Sequence, residues 1–131
     1  HTGSSVFRNV KLKFGDPLYL DEIAVDFPSL KIVQAHGGRG FWYEKAFFLA
    51  KHHRNVYLEV SGLPPQNLLK YFPELGKISD KVIFGSDWPG IASIKANIEA
   101  IRQLNLNEES KRKILGENAA KVLGLGEASG A

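Results

Sequence analysis

The chain has 131 residues, of which 44% are hydrophobic and 24% charged, and its formal net charge is +3. This is the composition of a globular domain with enough apolar residues for one core, and no apolar run reaches membrane-spanning length. Basic residues form no stripe among aromatic ones, so nucleic-acid binding is not expected, and the absence of cysteine excludes disulfides and thiolate ligands.

The first predicted element is a helix between Asp16 and Pro28. Asp16 is a suitable N-cap, and Pro17 suits the first helical position. Apolar residues then recur at helical spacing and predict one buried face: Leu20, Ile23, Ala24 and Phe27. The preceding residues are predicted to form a loop.

The rest of the chain alternates between short apolar runs, which predict strands, and amphipathic stretches, which predict helices. In chain order we predict a strand at 30–35, a helix at 41–52, a strand at 55–60, a helix at 64–71, a strand beginning at Val82, a helix capped by Ser93, and a helical stretch that Asn107 caps and Gly124 ends. Residues 126–131 are small and polar and are predicted to be disordered.

The predicted strands recur at a regular interval. Their apolar runs start at Ile32, Val56 and Val82, which are 24 and 26 residues apart. Strand–helix units at this spacing predict an α/β fold with a parallel sheet and crossover helices. Closed barrels of eight such units have about 250 residues. Three strands, with His1 ending a possible fourth, therefore predict half a barrel. Since the chain also lacks methionine, we expect a processed product or a piece of a longer protein.

Polar side chains follow each predicted strand, namely His36, Ser61 and Asp87, and His1 would follow the fourth. Loops after parallel strands share one face, so we expect these residues to converge. Imidazole and carboxylate are ligands for zinc, manganese or iron, and such a metal activates water. Asp87 could hold the metal and accept a proton, while His36 could bind metal or act as an acid. Arg39 could pair with a substrate carboxylate.

Each of these residues also has a structural interpretation. A lone histidine such as His36 is often a hydrogen-bonded structural residue, and Asp87 could cap a turn. Glu59 could point into the barrel as a buried carboxylate, or it could face the helices. His52 and His53 lie at the end of a predicted helix, where a basic side chain stabilises the helix dipole.

Four motifs taken together resemble the amidohydrolase-related family of metal-dependent TIM barrels, which contains hydrolases and non-oxidative decarboxylases. The resemblance extends from His1 to about Leu125, and its motifs are Ala-His-Gly-Gly at 35–38, the strand and turn at 56–62, Phe-Gly-Ser-Asp-Trp-Pro at 84–89, and Ile-Leu-Gly-Glu-Asn-Ala-Ala at 114–120. The resemblance implies that residues 1–125 are the C-terminal half of a (β/α)8 barrel.

The resemblance also implies a site. His1, His36 and Asp87 correspond to metal ligands, and His36 and Asp87 to the catalytic acid or base. Arg39 and Trp88 are assigned to substrate binding. The implied cofactor is a divalent metal, with zinc first and manganese or iron as alternatives. The family's His-x-His pair, which closes its first strand, is absent from this chain. The chain alone is therefore expected to be inactive.

We accordingly predict a cytoplasmic, metal-dependent hydrolase or decarboxylase acting on a small carboxylic acid, amide or ester. Its active form would need the N-terminal half of the barrel, and it could be a homo-oligomer. The alternative is a non-catalytic half-barrel module that assembles with itself or with another chain, because its open sheet edges would favour association.

Overall fold

Three short parallel strands form the sheet in this computed structural model, which describes residues 1–125. The strands are β1 (Ile32–Gln34), β2 (Val56–Glu59) and β3 (Val82–Ile83), in the order β1-β2-β3. Both pairs are parallel, with Val33 opposite Tyr57 and Glu59 opposite Ile83. The predicted α/β class and the three strand starts are confirmed. The tail predicted to be disordered, 126–131, lies outside the described residues.

Helical segments connect and follow the strands. The α-helices within residues 1–125 are α1 (Tyr19–Asp26), α2 (Tyr43–His52), α3 (Leu68–Tyr71), α4 (Ile94–Arg102), α5 (Glu108–Arg112) and α6 (Asn118–Leu123). The 3₁₀ segments are Leu12–Gly15, Pro65–Asn67, Leu75–Lys81 and Ala35–Gly38, the last kinked at His36 and Gly37. A π-helical turn at Lys113–Glu117 joins α5 to α6.

The predicted helix caps are confirmed where polar side chains or glycine define them. Ser93 Oγ accepts the N–H of Ala96 at 3.1 Å, and Asn107 Oδ1 accepts the N–H of Ser110 at 2.7 Å. Gly124 ends α6 in the left-handed conformation, which glycine adopts without steric strain.

The regular helix α1 begins at Tyr19, two residues later than predicted. Asp16 nevertheless makes the predicted cap contact, since its Oδ1 accepts the N–H of Leu18 at 3.0 Å, and it also binds Lys45 Nζ at 2.8 Å. Of the predicted apolar face, Ala24 is buried but Phe27 is 58% exposed.

The two faces of the sheet differ in how this chain covers them. Gln34, Leu58 and Val82 lie side by side on one face and are fully buried. Gln34 Nε2 donates to the carbonyl of Ala46 at 3.0 Å, so this face packs against α2. Val33, on the opposite face, is 40% exposed. No helix among the described residues is long and apolar enough to cross a bilayer.

Asn118 links α6 to β3, the strand that Asp87 follows. Its buried Nδ2 donates to the carbonyls of Ser79 and Val82, both at 2.7 Å. We expect Asn118→Ala to lower the free energy of unfolding by about 2–3 kcal/mol, because two buried carbonyls lose their donor. Urea denaturation measures the change. Asn105→Ala, at an exposed position, is the control, and an equal loss in both variants would contradict this account.

Candidate active site

The residues that follow the strands meet at the carboxyl edge of the sheet. His36 follows β1, Ser61 follows β2 and Asp87 follows β3, and parallel pairing brings all three to the same edge. We call this group, with the adjacent His1 and Arg39, the rim.

The first residues of the chain extend the rim beyond β1. The N–H and the Oγ1 of Thr2 both donate to the carbonyl of Ala35, at 2.9 and 2.8 Å. Gly3 forms an isolated parallel bridge with Arg39. The segment therefore lies where a fourth parallel strand would end, as predicted. It brings the ring of His1 to 4.9 Å from the ring of His36, edge to face.

His36 has an unusual backbone and a fixed ring. Its φ of 68° lies in the left-handed region, which non-glycine residues rarely adopt. Its Nδ1 lies 2.9 Å from the carbonyl oxygen of Ser61 and 3.1 Å from the Ser61 hydroxyl oxygen. A carbonyl oxygen only accepts hydrogen bonds, so Nδ1 carries the proton. In the neutral ring Nε2 then keeps its lone pair for a proton or a metal.

Gly62 marks the point where the predicted chemical groups come closest together. A methyl group on Gly62 would lie 2.7 Å from Asp87 Oδ2, 2.8 Å from Arg39 Nη1 and 3.2 Å from His36 Nδ1. Asp87 also has a positive φ, of 60°, and its side chain is exposed at the rim. Residues 36 and 87 are thus brought together, as the sequence predicted, and Arg39 lies beside them.

Of the two residues assigned to substrate binding, Arg39 has a side chain held by hydrogen bonds and Trp88 does not. Arg39 is held by Nε and Nη2, which donate to the carbonyl of Ser4 at 3.3 and 3.1 Å, while Nη1 reaches towards Gly62. Trp88 is 71% exposed, and only its backbone is held, by the hydroxyl of Ser86 at 3.2 Å. A substrate role for either residue stays a prediction.

Glu59, the last residue of β2, lies next to the rim, and the sequence left its orientation undecided. Its carboxylate accepts the N–H of His36 at 3.1 Å and both the N–H and the hydroxyl of Ser61 at 2.8 Å. It points away from the α2-covered face, because it alternates with Leu58. The sequence holds one sign of this orientation that the prediction did not use, namely Gly85. A Cβ at that position would collide with Glu59 Oε1.

The rim offers metal-binding groups but only an incomplete set. Three groups are suitable metal ligands: the unprotonated Nε2 of His36, the imidazole of His1 and the carboxylate of Asp87. Residues 1–125 nevertheless contain no group of three or more such side chains arranged to hold a metal ion. The other two histidines lie away from the rim at the end of α2, where His53 Nε2 pairs with Asp21 at 2.7 Å. These donors fit one part of a metal site that needs further ligands.

Gly62 allows a direct test of this crowding. We expect Gly62→Ala to displace the side chains of His36, Arg39 and Asp87, besides the roughly 1–2 kcal/mol cost of a positive φ for a non-glycine residue. Changed imidazole and guanidinium NMR shifts would report the displacement.

Two glycines supply matched controls for that variant. Gly124 has a φ of 70° but no atom within 4 Å of an added methyl group, so Gly124→Ala isolates backbone strain. Gly116 likewise has open space and serves as a neutral control. If the NMR shifts of the rim side chains change equally in Gly124→Ala, crowding at Gly62 is not the cause of the change.

Comparison with known proteins supports the fold and the family. The profile of a family described as Amidohydrolase matches residues 1–125. An uncharacterized TIM-barrel protein from Bordetella bronchiseptica superposes with a TM-score of 0.77 at 24% identity, over 94% of this chain and 43% of that one. The predicted fold, a partial (β/α)8 barrel, is confirmed. No curated protein sequence matched significantly.

Two further solved structures are similar in fold. A dihydroxybenzoic acid decarboxylase from Polaromonas sp. JS666, with bound manganese and the inhibitor 2-nitroresorcinol, has a TM-score of 0.58 at 24% identity, over 81% of this chain and 37% of that one. A 2,6-dihydroxybenzoate decarboxylase complexed with 2,6-dihydroxybenzoate has a TM-score of 0.59 at 20% identity, over 95% of this chain and 50% of that one. The chain thus spans half or less of each of these structures.

Proposed function

The chain belongs to the amidohydrolase family, and on that premise we propose that it supplies the rim of a metal-dependent hydrolase or non-oxidative decarboxylase. The remaining strands would come from outside this chain, and we call the assembled form the complete barrel. The observation that carries the proposal is the convergence of His36, Asp87 and Arg39 around Gly62, next to His1.

The rim groups have distinct chemical capacities. His1, His36 and Asp87 would hold the divalent metal, together with ligands that this chain lacks. When bound, such a cation supplies positive charge that polarises substrate oxygen atoms and acidifies water. Manganese bound in a structural neighbour supports a divalent cation, for which zinc stays the first choice and manganese or iron the alternatives.

Proton transfer and substrate binding fall to the chain's own residues. Asp87 is exposed at the rim and, as a carboxylate, can accept or return a proton. His36 presents Nε2, which can accept a proton if it does not bind the metal. Arg39 directs Nη1 at Gly62, close to Asp87 Oδ2, and can pair with a substrate carboxylate.

An assay of the complete barrel tests this function. We would incubate it with Mn²⁺ or Zn²⁺ and either 2,6-dihydroxybenzoate or a panel of amides and esters. Carbon dioxide release from the acid would assign a decarboxylase, and acid release from the panel a hydrolase. Metal-stimulated turnover of either kind is the expected result. No turnover with any substrate, despite bound metal, would contradict the proposal.

One observation favours the non-catalytic module as a second candidate. Val33, on the sheet face opposite α2, is 40% exposed, and large apolar side chains such as Phe7 and Phe14 are more than 60% exposed. Apolar surface of this kind favours association. Light scattering on the 131-residue chain discriminates, since the module hypothesis requires an oligomer and a stable monomer would remove its basis.

A further inference from the structure

The carboxylate of Glu59 connects the ends of all three strands. It belongs to β2, yet Oε2 accepts the N–H of His36 after β1, and Oε1 lies against Gly85 after β3. The carboxylate also accepts the N–H and the hydroxyl of Ser61, both at 2.8 Å. Three donors hold this partly buried carboxylate in place, so it is not a solvated surface charge.

Two features of the backbone serve this arrangement. His36 adopts its left-handed conformation while its N–H points at Glu59, and the charge-assisted hydrogen bond offsets the strain of that conformation. Gly85 leaves the space that Oε1 occupies, since any side chain there would collide with it.

Glu59 also determines the direction of the Ser61 hydroxyl. Because the carboxylate can only accept, the Ser61 hydroxyl donates to it and turns a lone pair towards His36 Nδ1, 3.1 Å away. Without the carboxylate, the hydroxyl could instead donate to Nδ1, which would move the ring proton to Nε2. The carbonyl of Ser61, at 2.9 Å, supports the same Nδ1–H state.

We propose that Glu59 is a positioning residue that selects the Nδ1–H tautomer of His36 and so keeps Nε2 unprotonated at the rim. It acts through Ser61 and touches neither metal nor substrate. This inference rests on the proposed function for the use made of Nε2, but the state of the ring can be measured without metal or substrate. The competing interpretation is that Glu59 only ties the strand ends together.

The test is ¹⁵N NMR of the histidine side chains in the metal-free complete barrel, with the His36 signals assigned by loss in His36→Gln. We expect wild-type His36 to show protonated Nδ1 and unprotonated Nε2. In Glu59→Gln the amide group donates where the carboxylate accepted, so the ring should shift towards the Nε2–H tautomer. Metal affinity or turnover should also fall by about 10- to 100-fold. Glu117→Gln, at an exposed carboxylate, is the control.

The double variant Glu59→Gln/Ser61→Ala separates the two interpretations. Without the hydroxyl, the amide introduced at position 59 has nothing to reorient, so the Nδ1–H tautomer should return through the backbone carbonyl of residue 61. If Glu59 only links the strand ends, Glu59→Gln should be less stable but should keep the wild-type tautomer of His36. That result would overturn the proposal. An Nε2–H ring in the wild type would overturn it as well, even if Glu59→Gln does not fold. If the tautomers are as expected but the complete barrel shows no turnover, the proposed function is contradicted and this inference still holds.

Discussion

Replacing Asp87 with alanine in the complete barrel should lower kcat by about 1,000-fold, within the range for loss of a positioned acid or base. The reason is the place of its carboxylate, which stands with Arg39 Nη1 and His36 Nδ1 around Gly62. The variant should also retain less metal than the wild type. Steady-state kinetics and metal analysis on the same preparations measure both effects.

Asp80→Ala is the matched control for that variant. Asp80 is an exposed aspartate that precedes β3, at the opposite edge of the sheet. Its loss should leave both turnover and metal content near the wild-type values. Full activity in Asp87→Ala, or equal losses in the two variants, would remove Asp87 from the proposed chemistry.

Replacing Phe72 with alanine should lower the free energy of unfolding by about 3–5 kcal/mol, the usual range for a buried phenylalanine. Its side chain is 1% exposed and packs edge to face on the ring of Tyr43, with centroids 5.5 Å apart. Its Cζ also lies 3.1 Å from where a Cβ on Gly37 would stand, directly below the turn that carries His36. The substitution should therefore loosen the rim as well as the core.

Urea denaturation of the chain and its variant measures this loss of stability. Phe48→Ala is the control, because Phe48 is a phenylalanine on α2 that is 60% exposed. Surface substitutions of that kind change stability by about 0.5 kcal/mol or less. A Phe72→Ala variant as stable as Phe48→Ala would contradict the packing described here.

The strands and the shared edge were predictable because they depend on local apolar runs and their spacing. Ile32, Val56 and Val82 each begin a strand, and parallel pairing then fixes where His36 and Asp87 lie. The caps were predictable for the same reason, since a serine or asparagine satisfies helix N–H groups only a few residues away.

The remaining details depend on contacts between distant residues. The 3₁₀ segment Leu75–Lys81 was missed because it follows Pro73 and shows no helical periodicity. The ion pair between Asp16 and Lys45 could not be predicted, because Lys45 lies 29 positions away. Glu59 was not assigned, because its contacts with His36 and Gly85 involve the segments after the other two strands.

The most direct measurement is an anomalous-scattering map from crystals of the complete barrel soaked in Mn²⁺. The account predicts one strong peak at the rim, within about 2.2 Å of a carboxylate oxygen of Asp87 and beside the imidazoles of His1 and His36. A map with no peak at the rim, or with manganese only at the opposite edge of the sheet, would contradict it.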